Sequence, residues 1–244
     1  MRCRERSERV TRPRPLTEQE WLRCAYPGTM LTRLRTGDAR KLRLFVCACC
    51  ARLWKFLDDP RSREAVRAAE QWADGMIGRA ELKEKLQAAE AAEQQARHYY
   101  AARAAKQAAM VRKDWVVNTA WAAAQAKGEG EASAHAKAQE ELFQCHLIRD
   151  IFGNPFRPVT FKPTWLTPAI LGLAQDLYQN RKIPDGTFDT AHLSILADAL
   201  EDAGCDNLDI LEHCRSEGPH VRGCWVVDRL LEKVSGEWDG FLPG

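Results

Sequence analysis

Apolar positions recur at three- and four-residue spacing along most of the chain, the period of helices with one buried face. Over residues 41–57, Leu42, Phe45, Val46, Cys49, Leu53, Phe56 and Leu57 fall on one stripe, with Lys41, Arg52 and Lys55 opposite. This pattern predicts a half-buried helix with a basic back. Upstream, Thr17 and Glu20 match a capping box ahead of Trp21, Leu22 and Cys24, and Pro27-Gly28 ends that short helix. Asp59-Pro60 opens another helix, aspartate as N-cap and proline in the first turn, which carries Ala65, Val66, Ala69 and Trp72 as far as Asp74-Gly75. Beyond residue 153 the helical period resumes through Leu166, Ile170, Leu173, Ala174 and Leu177, then through Leu193, Leu196, Leu200 and Ala203. A short helix over 207–214 and a last one over 219–234, with Cys224, Val227, Leu230, Leu231 and Val234 inward, complete the pattern. Val159-Thr160-Phe161 is too short to establish a sheet.

From 79 to 126 neither proline nor glycine interrupts the chain, and 20 of the 51 residues from Ala88 to Ala138 are alanine, the strongest helix former. The expectation is an antiparallel helical hairpin over 79–152, turning at Lys127-Gly128-Glu129-Gly130 and protruding from the rest. Tyr99, Tyr100, Trp115 and Trp121 would supply the core bulk that alanine lacks, with a partner face as the alternative. Gly153-Asn154-Pro155-Phe156-Arg157-Pro158 stops the returning helix, since glycine suits a C-cap and proline cannot continue a helix. The predicted fold class is therefore all-α, a multi-helix array. A disordered basic tail (1–16) is followed by an N-terminal helical group (17–78), the alanine-rich helical hairpin (79–152), a compact C-terminal helical group (153–236) and a short tail (237–244).

A chain of 244 residues with 45% hydrophobic and 29% charged residues can bury its own core, and a net charge of +2 gives no mandate for nucleic acid or an anionic membrane. No apolar run reaches the length of a membrane span, and no apolar segment follows the opening arginines as a secretory leader would require, so the expected compartment is the cytoplasm. Nine cysteines there read as reduced thiols, either buried or reactive.

Two cysteine clusters invite a metal. Cys47, Cys49 and Cys50 turn by about 100° per residue on a helix, so they diverge, and packing thiols are the preferred reading. Cys205, His213, Cys214, His220 and Cys224 form the second group; three thiolates and an imidazole would suit structural zinc, but the spacing matches no standard finger. With Pro219 as first helical residue, His220 and Cys224 would share a helix face at i and i+4, a pairing that a cysteine enzyme could use. No carboxylate or amide is visibly placed to orient that imidazole, and Asp228 lies on the wrong side to reach around Cys224. No metal or cofactor is assigned. The candidate binding residues are Asn154, Phe156 and Arg157 in the proline-locked turn and His220, Arg222 and Trp225 near the C-terminus, where Trp and Arg suit a partner hot spot. Gly223 marks a close backbone approach. Arg33, Arg35, Arg40, Lys41, Arg43, Arg52 and Lys55 make a basic zone near Trp54, read as a solvated face in preference to a nucleic-acid site.

The strings KLRLFVCACCARLW, IRDIFGNPFRPV, ILADALEDAGC and HVRGCWVVDRLLEK together resemble an uncharacterised, paralogue-rich family of helical proteins from planctomycete-type bacteria, over roughly residues 17–234. ILADALEDAGC is also similar to a short companion domain of such bacteria. The resemblance implies a helical fold and no activity. The expected role is non-enzymatic: a cytoplasmic protein–protein interaction or scaffold module, acting on a protein partner or by self-association through the hairpin. The alternatives are a nucleic-acid-associated protein using the basic zone and a zinc- or cysteine-dependent enzyme using the C-terminal cluster.

Overall fold

The structure, a computed structural model, describes residues 16–34, 38–110, 115–128 and 133–233; the two predicted tails, Leu16 excepted, and part of the hairpin turn lie outside these residues. The described residues form 12 α-helices: α1 Glu18–Arg23, α2 Pro27–Arg33, α3 Ala39–Ala51, α4 Pro60–Ala73, α5 Arg79–Glu93, α6 Tyr99–Ala108, α7 Trp115–Lys127, α8 Ser133–Phe152, α9 Pro168–Gln179, α10 Thr190–Asp202, α11 Leu208–Arg215 and α12 Trp225–Leu230. The fold is all-α. Among the described residues, Thr187 makes isolated bridges to Lys182 and Val221 and no sheet forms.

The caps predicted at Thr17 and Asp59 operate, and Asp189 adds one that the sequence reading did not name. Thr17 Oγ1 accepts from the Glu20 backbone N–H at 3.2 Å while the Glu20 carboxylate accepts from the Thr17 N–H at 2.8 Å. Asp59 caps α4 through the Arg61 N–H, and Asp189 caps α10 through the N–H groups of Ala191 and His192.

Two cores result. Helices α3 to α8 enclose the first around Phe45, Leu53, Leu82, Val116 and Ile148; α9 to α12 enclose the second around Trp165, Leu177, Leu196, Ile210 and Val227. Helix α3 occupies the middle of the first core and is buried from Arg43 to Ala51, so the solvated basic zone is corrected at Arg40 and Arg43, which are buried; Lys41 and Arg52 are partly exposed and Lys55 is exposed, and Arg35 lies outside the described residues. Arg43 donates to the Ala108 and Met110 carbonyls, capping the end of α6, and its guanidinium lies 4.3 Å from the Trp72 ring; burial pushes it down to about 10. Arg52 pairs with the buried carboxylate of Glu140 at 2.9 Å.

The alanine-rich region is also corrected in detail. It holds four helices, α5 to α8, in place of two, with breaks after Glu93 and after Ala108 that no glycine or proline announces. Alanine faces of α6 and α7 pack on each other and on α3 and α4, so this region builds the first core instead of protruding from it. Close packing of small faces against α3 and α4 outweighs the propensity for one unbroken helix.

Buried charges tie the cores together. Arg40 on α3 donates to Asp228 on α12, to Asp74 at the end of α4 at 3.0 Å and to the Tyr178 hydroxyl on α9 at 2.7 Å, while Tyr178 donates to Asp74 at 2.7 Å. Burial pushes Asp228 above the usual carboxylate range, with the Arg40 hydrogen bond opposing.

Candidate functional site

Between α11 and α12 the chain makes an extended hook, residues 216–224, and not the first turns of a helix. Gly218 and Gly223 lie at φ +91° and +96°, where glycine is favoured, and the hook's backbone bonds sideways: Phe188 N–H donates to His220 O at 2.8 Å and Val221 N–H to Asp150 Oδ2 at 3.0 Å. The predicted i, i+4 face of His220 and Cys224 therefore does not exist; α12 starts at Trp225 with Cys224 as N-cap. Gly223 does mark a close approach. A Cβ there would sit 3.1 Å from Leu44 Cδ1 on α3.

The hook brings His220 and Cys224 to the end of α8, where Asp150 is buried, and to His213 on α11. His220 Nδ1 lies 2.9 Å from Asp150 Oδ1, and His213 Nε2 lies 3.2 Å from that same oxygen and 3.2 Å from Cys224 Sγ. All four metal-capable atoms fall within 4.8 Å of one another, and among the described residues no other set of three or more His, Cys, Asp or Glu is so placed. Burial acts to raise Asp150, but hydrogen bonds from both imidazoles prevail and hold it below the usual carboxylate range. Burial acts to lower His220, and its contacts with Asp150 and the Ser216 carbonyl prevail and raise it. Cys224, 0% exposed, is pushed well up by burial and by the Asp150 charge. Full burial keeps the Cys224 sulfur from solvent and substrate, which weighs against the cysteine-enzyme alternative.

The order Ser216, His220, Asp150 has the outline of a hydrolytic triad, since Ser216 Oγ lies 3.2 Å from His220 Nε2. Its hydrogen-bond directions are wrong for one. The Ser216 hydroxyl donates to the His213 carbonyl at 2.8 Å, and Nε2 faces the Ser216 carbonyl at 3.1 Å, so Nε2 carries a proton and cannot accept one from the hydroxyl.

The other sequence candidates divide between two places. Asn154 donates to Glu18 at 2.7 Å and Arg157 pairs with Glu18 at 2.6 Å and with Asp209 at 3.6 Å, so the proline-locked turn fastens α1 and α11 to the end of α8. Asn154, Arg157 and Trp225 line one cleft of about 430 Å³ together with Lys41, His213 and Arg229; Phe156, 42% exposed, projects from the same turn. Trp225 bridges layers. Its ring sits beside Phe161 and His213 and lies over Gly153, where a Cβ would meet Trp225 Cγ at 3.2 Å. Arg222 points the other way, to the Tyr178 ring and to Asp74. His220 lines a second cleft of about 600 Å³ with Ala48, Arg52 and Phe188.

All eight described cysteines are free thiols. Cys47, Cys49 and Cys50 are fully enclosed by the first core, and burial pushes each up. Cys205 and Cys214 belong to the second core and do not join His220 and Cys224; burial pushes Cys214 up to about 12. Asp150 is the residue that sequence reasoning missed. It lies 70 positions from His220 in the unremarkable string IRDIF, and nothing local distinguishes it from any other helical carboxylate. Comparison with protein-family models, curated proteins and solved structures finds no match.

Proposed function

We propose that the chain is a non-enzymatic, cytoplasmic protein–protein interaction module, and that its recognition surface lies on α6 and α7. One observation carries this reading. Two aromatic residues of the alanine-rich helices, expected in the core, stand at the surface: Tyr99 and Trp121 are each 45% exposed, and Val117, one turn before Trp121, is 39% exposed, while Tyr100 is partly buried. Tyr99, Tyr100 and Trp121 form a run of edge-to-face rings with centroids 5.4 and 5.5 Å apart, and Arg103 donates to the Tyr99 hydroxyl at 3.1 Å. Trp, Tyr and Arg are the residue types that dominate protein–protein hot spots, and the rigid helices beneath hold them preorganised. Free thiols at all eight described cysteines fit a reducing compartment. The consumption of Arg40, Arg43 and Arg52 inside the fold weighs against the nucleic-acid alternative.

The test is quantitative retention on the immobilised full chain, together with its subunit number by sedimentation. Wild type should hold one protein, foreign or a second copy, in fixed stoichiometry. Trp121→Ala should weaken that complex by about 30-fold or more, the effect of losing a hot spot of roughly 2 kcal/mol, with helical content unchanged. A monomer that retains nothing in fixed ratio, or a Trp121→Ala chain that retains the partner equally well, removes the reading.

A further inference from the structure

We propose that Asp150, His213, His220 and Cys224 bind a single zinc-type divalent metal ion through Oδ1, Nε2, Nδ1 and Sγ, and that the ion clamps the two cores together. The hydrogen bonds around the cluster leave these atoms, and not their neighbours, available. His220 Nε2 faces the Ser216 carbonyl at 3.1 Å and keeps its proton, so Nδ1, turned inward and hydrogen-bonded to Asp150, is the nitrogen that would give up its proton to a metal. A metal-bound histidine characteristically gives its other N–H to such a carbonyl. Asp150 Oδ2 is taken by the Val221 N–H at 3.0 Å, which leaves Oδ1 to face both imidazoles. Protons hold these atoms together in the metal-free chain, and a divalent ion would take their place.

Spacing and charge agree with this assignment. Donors around a tetrahedral zinc, at about 2.0–2.3 Å from the ion, stand roughly 3.3–3.7 Å apart. Three of the pairs here are at 2.9, 3.2 and 3.2 Å, a little shorter, as donors drawn together over a proton would be, and all pairs lie within 4.8 Å, so small side-chain shifts would close the set around an ion. With Asp150 and Cys224 ionised and both imidazoles neutral, a divalent ion gives a site of zero net charge, which suits a place where three of the four ligands are buried. Two nitrogens, one sulfur and one oxygen favour zinc over magnesium or calcium, which take oxygen ligands. Four protein ligands and no open position make the site structural.

The ligands come from α8, α11 and the hook ahead of α12, so the ion would cross-link the end of the first core to the second. The set differs from the cysteine-rich one that the sequence suggests: Cys205 and Cys214 take no part.

The full chain, purified without chelator, is weighed by native mass spectrometry and assayed for metal, then stripped and titrated with Co(II). Expected are one zinc per chain, a tetrahedral cobalt spectrum with a thiolate-to-cobalt charge-transfer band, and loss of that band in Cys224→Ser but not in Cys214→Ser. Affinity in Cys224→Ser should fall by at least about 100-fold, beyond the 10–100-fold typical of changing a residue that only hydrogen-bonds a ligand. If Cys224→Ser does not fold, wild type decides: the stripped chain should melt at a lower temperature and recover when zinc is added. A stripped wild-type chain that takes up no stoichiometric cobalt, a cobalt spectrum without the charge-transfer band, or equal affinity in Cys224→Ser overturns the proposal.

Discussion

Gly223 sits at φ +96° beneath Leu44, and both facts bear on any side chain placed there: the backbone is strained for an L-residue and the Cβ would press on Leu44 at 3.1 Å. Gly223→Ala should therefore destabilise the chain by about 1–3 kcal/mol. Gly172 is the contrast. It lies on the exposed face of α9 with no atom within 4 Å of an added Cβ, so Gly172→Ala should stabilise by about 0.5–1 kcal/mol. Urea denaturation of the two variants should give opposite signs, and equal signs would mean that the hook does not depend on this glycine. The sequence points to Gly223, His213, His220 and Cys224 because each is an unusual residue in its setting. It does not point to Asp150, because a carboxylate on a helix is ordinary until folding places imidazoles beside it.

At the scale of single elements, caps and breakers are legible where the chemistry is local. Asp59 at the start of α4 is such a case. The Arg61 side chain, helped by the Arg61 N–H, holds its carboxyl below the usual range. A lowered native value means stabilisation that is present above the ordinary carboxylate value of about 4 and lost as pH falls through the native one. Asp59→Ala should thus cost about 0.5–2 kcal/mol at neutral pH. That cost should shrink as the solution is acidified below about pH 4; a cost independent of pH would rule out the carboxylate as the capping species. Elements whose limits depend on distant neighbours were not legible. No residue at 94–98 stops a helix, yet α5 ends at Glu93; Pro219 resembles a helix start, yet α12 begins at Trp225 because the intervening backbone bonds to Asp150 and Phe188.

For the molecule as a whole, the junction between cores is polar and buried, so its groups depend on one another. Among the described contacts, Asp228 has its hydrogen bonds from Arg40, which also reaches Asp74 and Tyr178. Arg40→Met leaves Asp228 buried without that cation and should cost about 3–5 kcal/mol. The double variant Arg40→Met with Asp228→Leu should recover part of that loss. Denaturant midpoints of the three chains check this, and a double variant worse than the single one would show that the network is held by Asp74 and Tyr178 instead. The four candidate ligands also lie between the two cores, so a metal and the charge network would both tie the cores together.

The sequence by itself determined the all-α class, the caps at Thr17, Asp59 and Gly153, and the concentration of cysteine and histidine near the end, because helical period, capping and residue chemistry are carried by neighbours along the chain. Only the tertiary structure decided which of these residues meet: that Asp150 replaces Cys205 and Cys214 beside His213, His220 and Cys224, that the arginines of α3 turn inward, and that Tyr99 and Trp121 turn outward. Those outcomes depend on helices packed across tens of residues, where burial and hydrogen bonding to distant partners outweigh the local pattern.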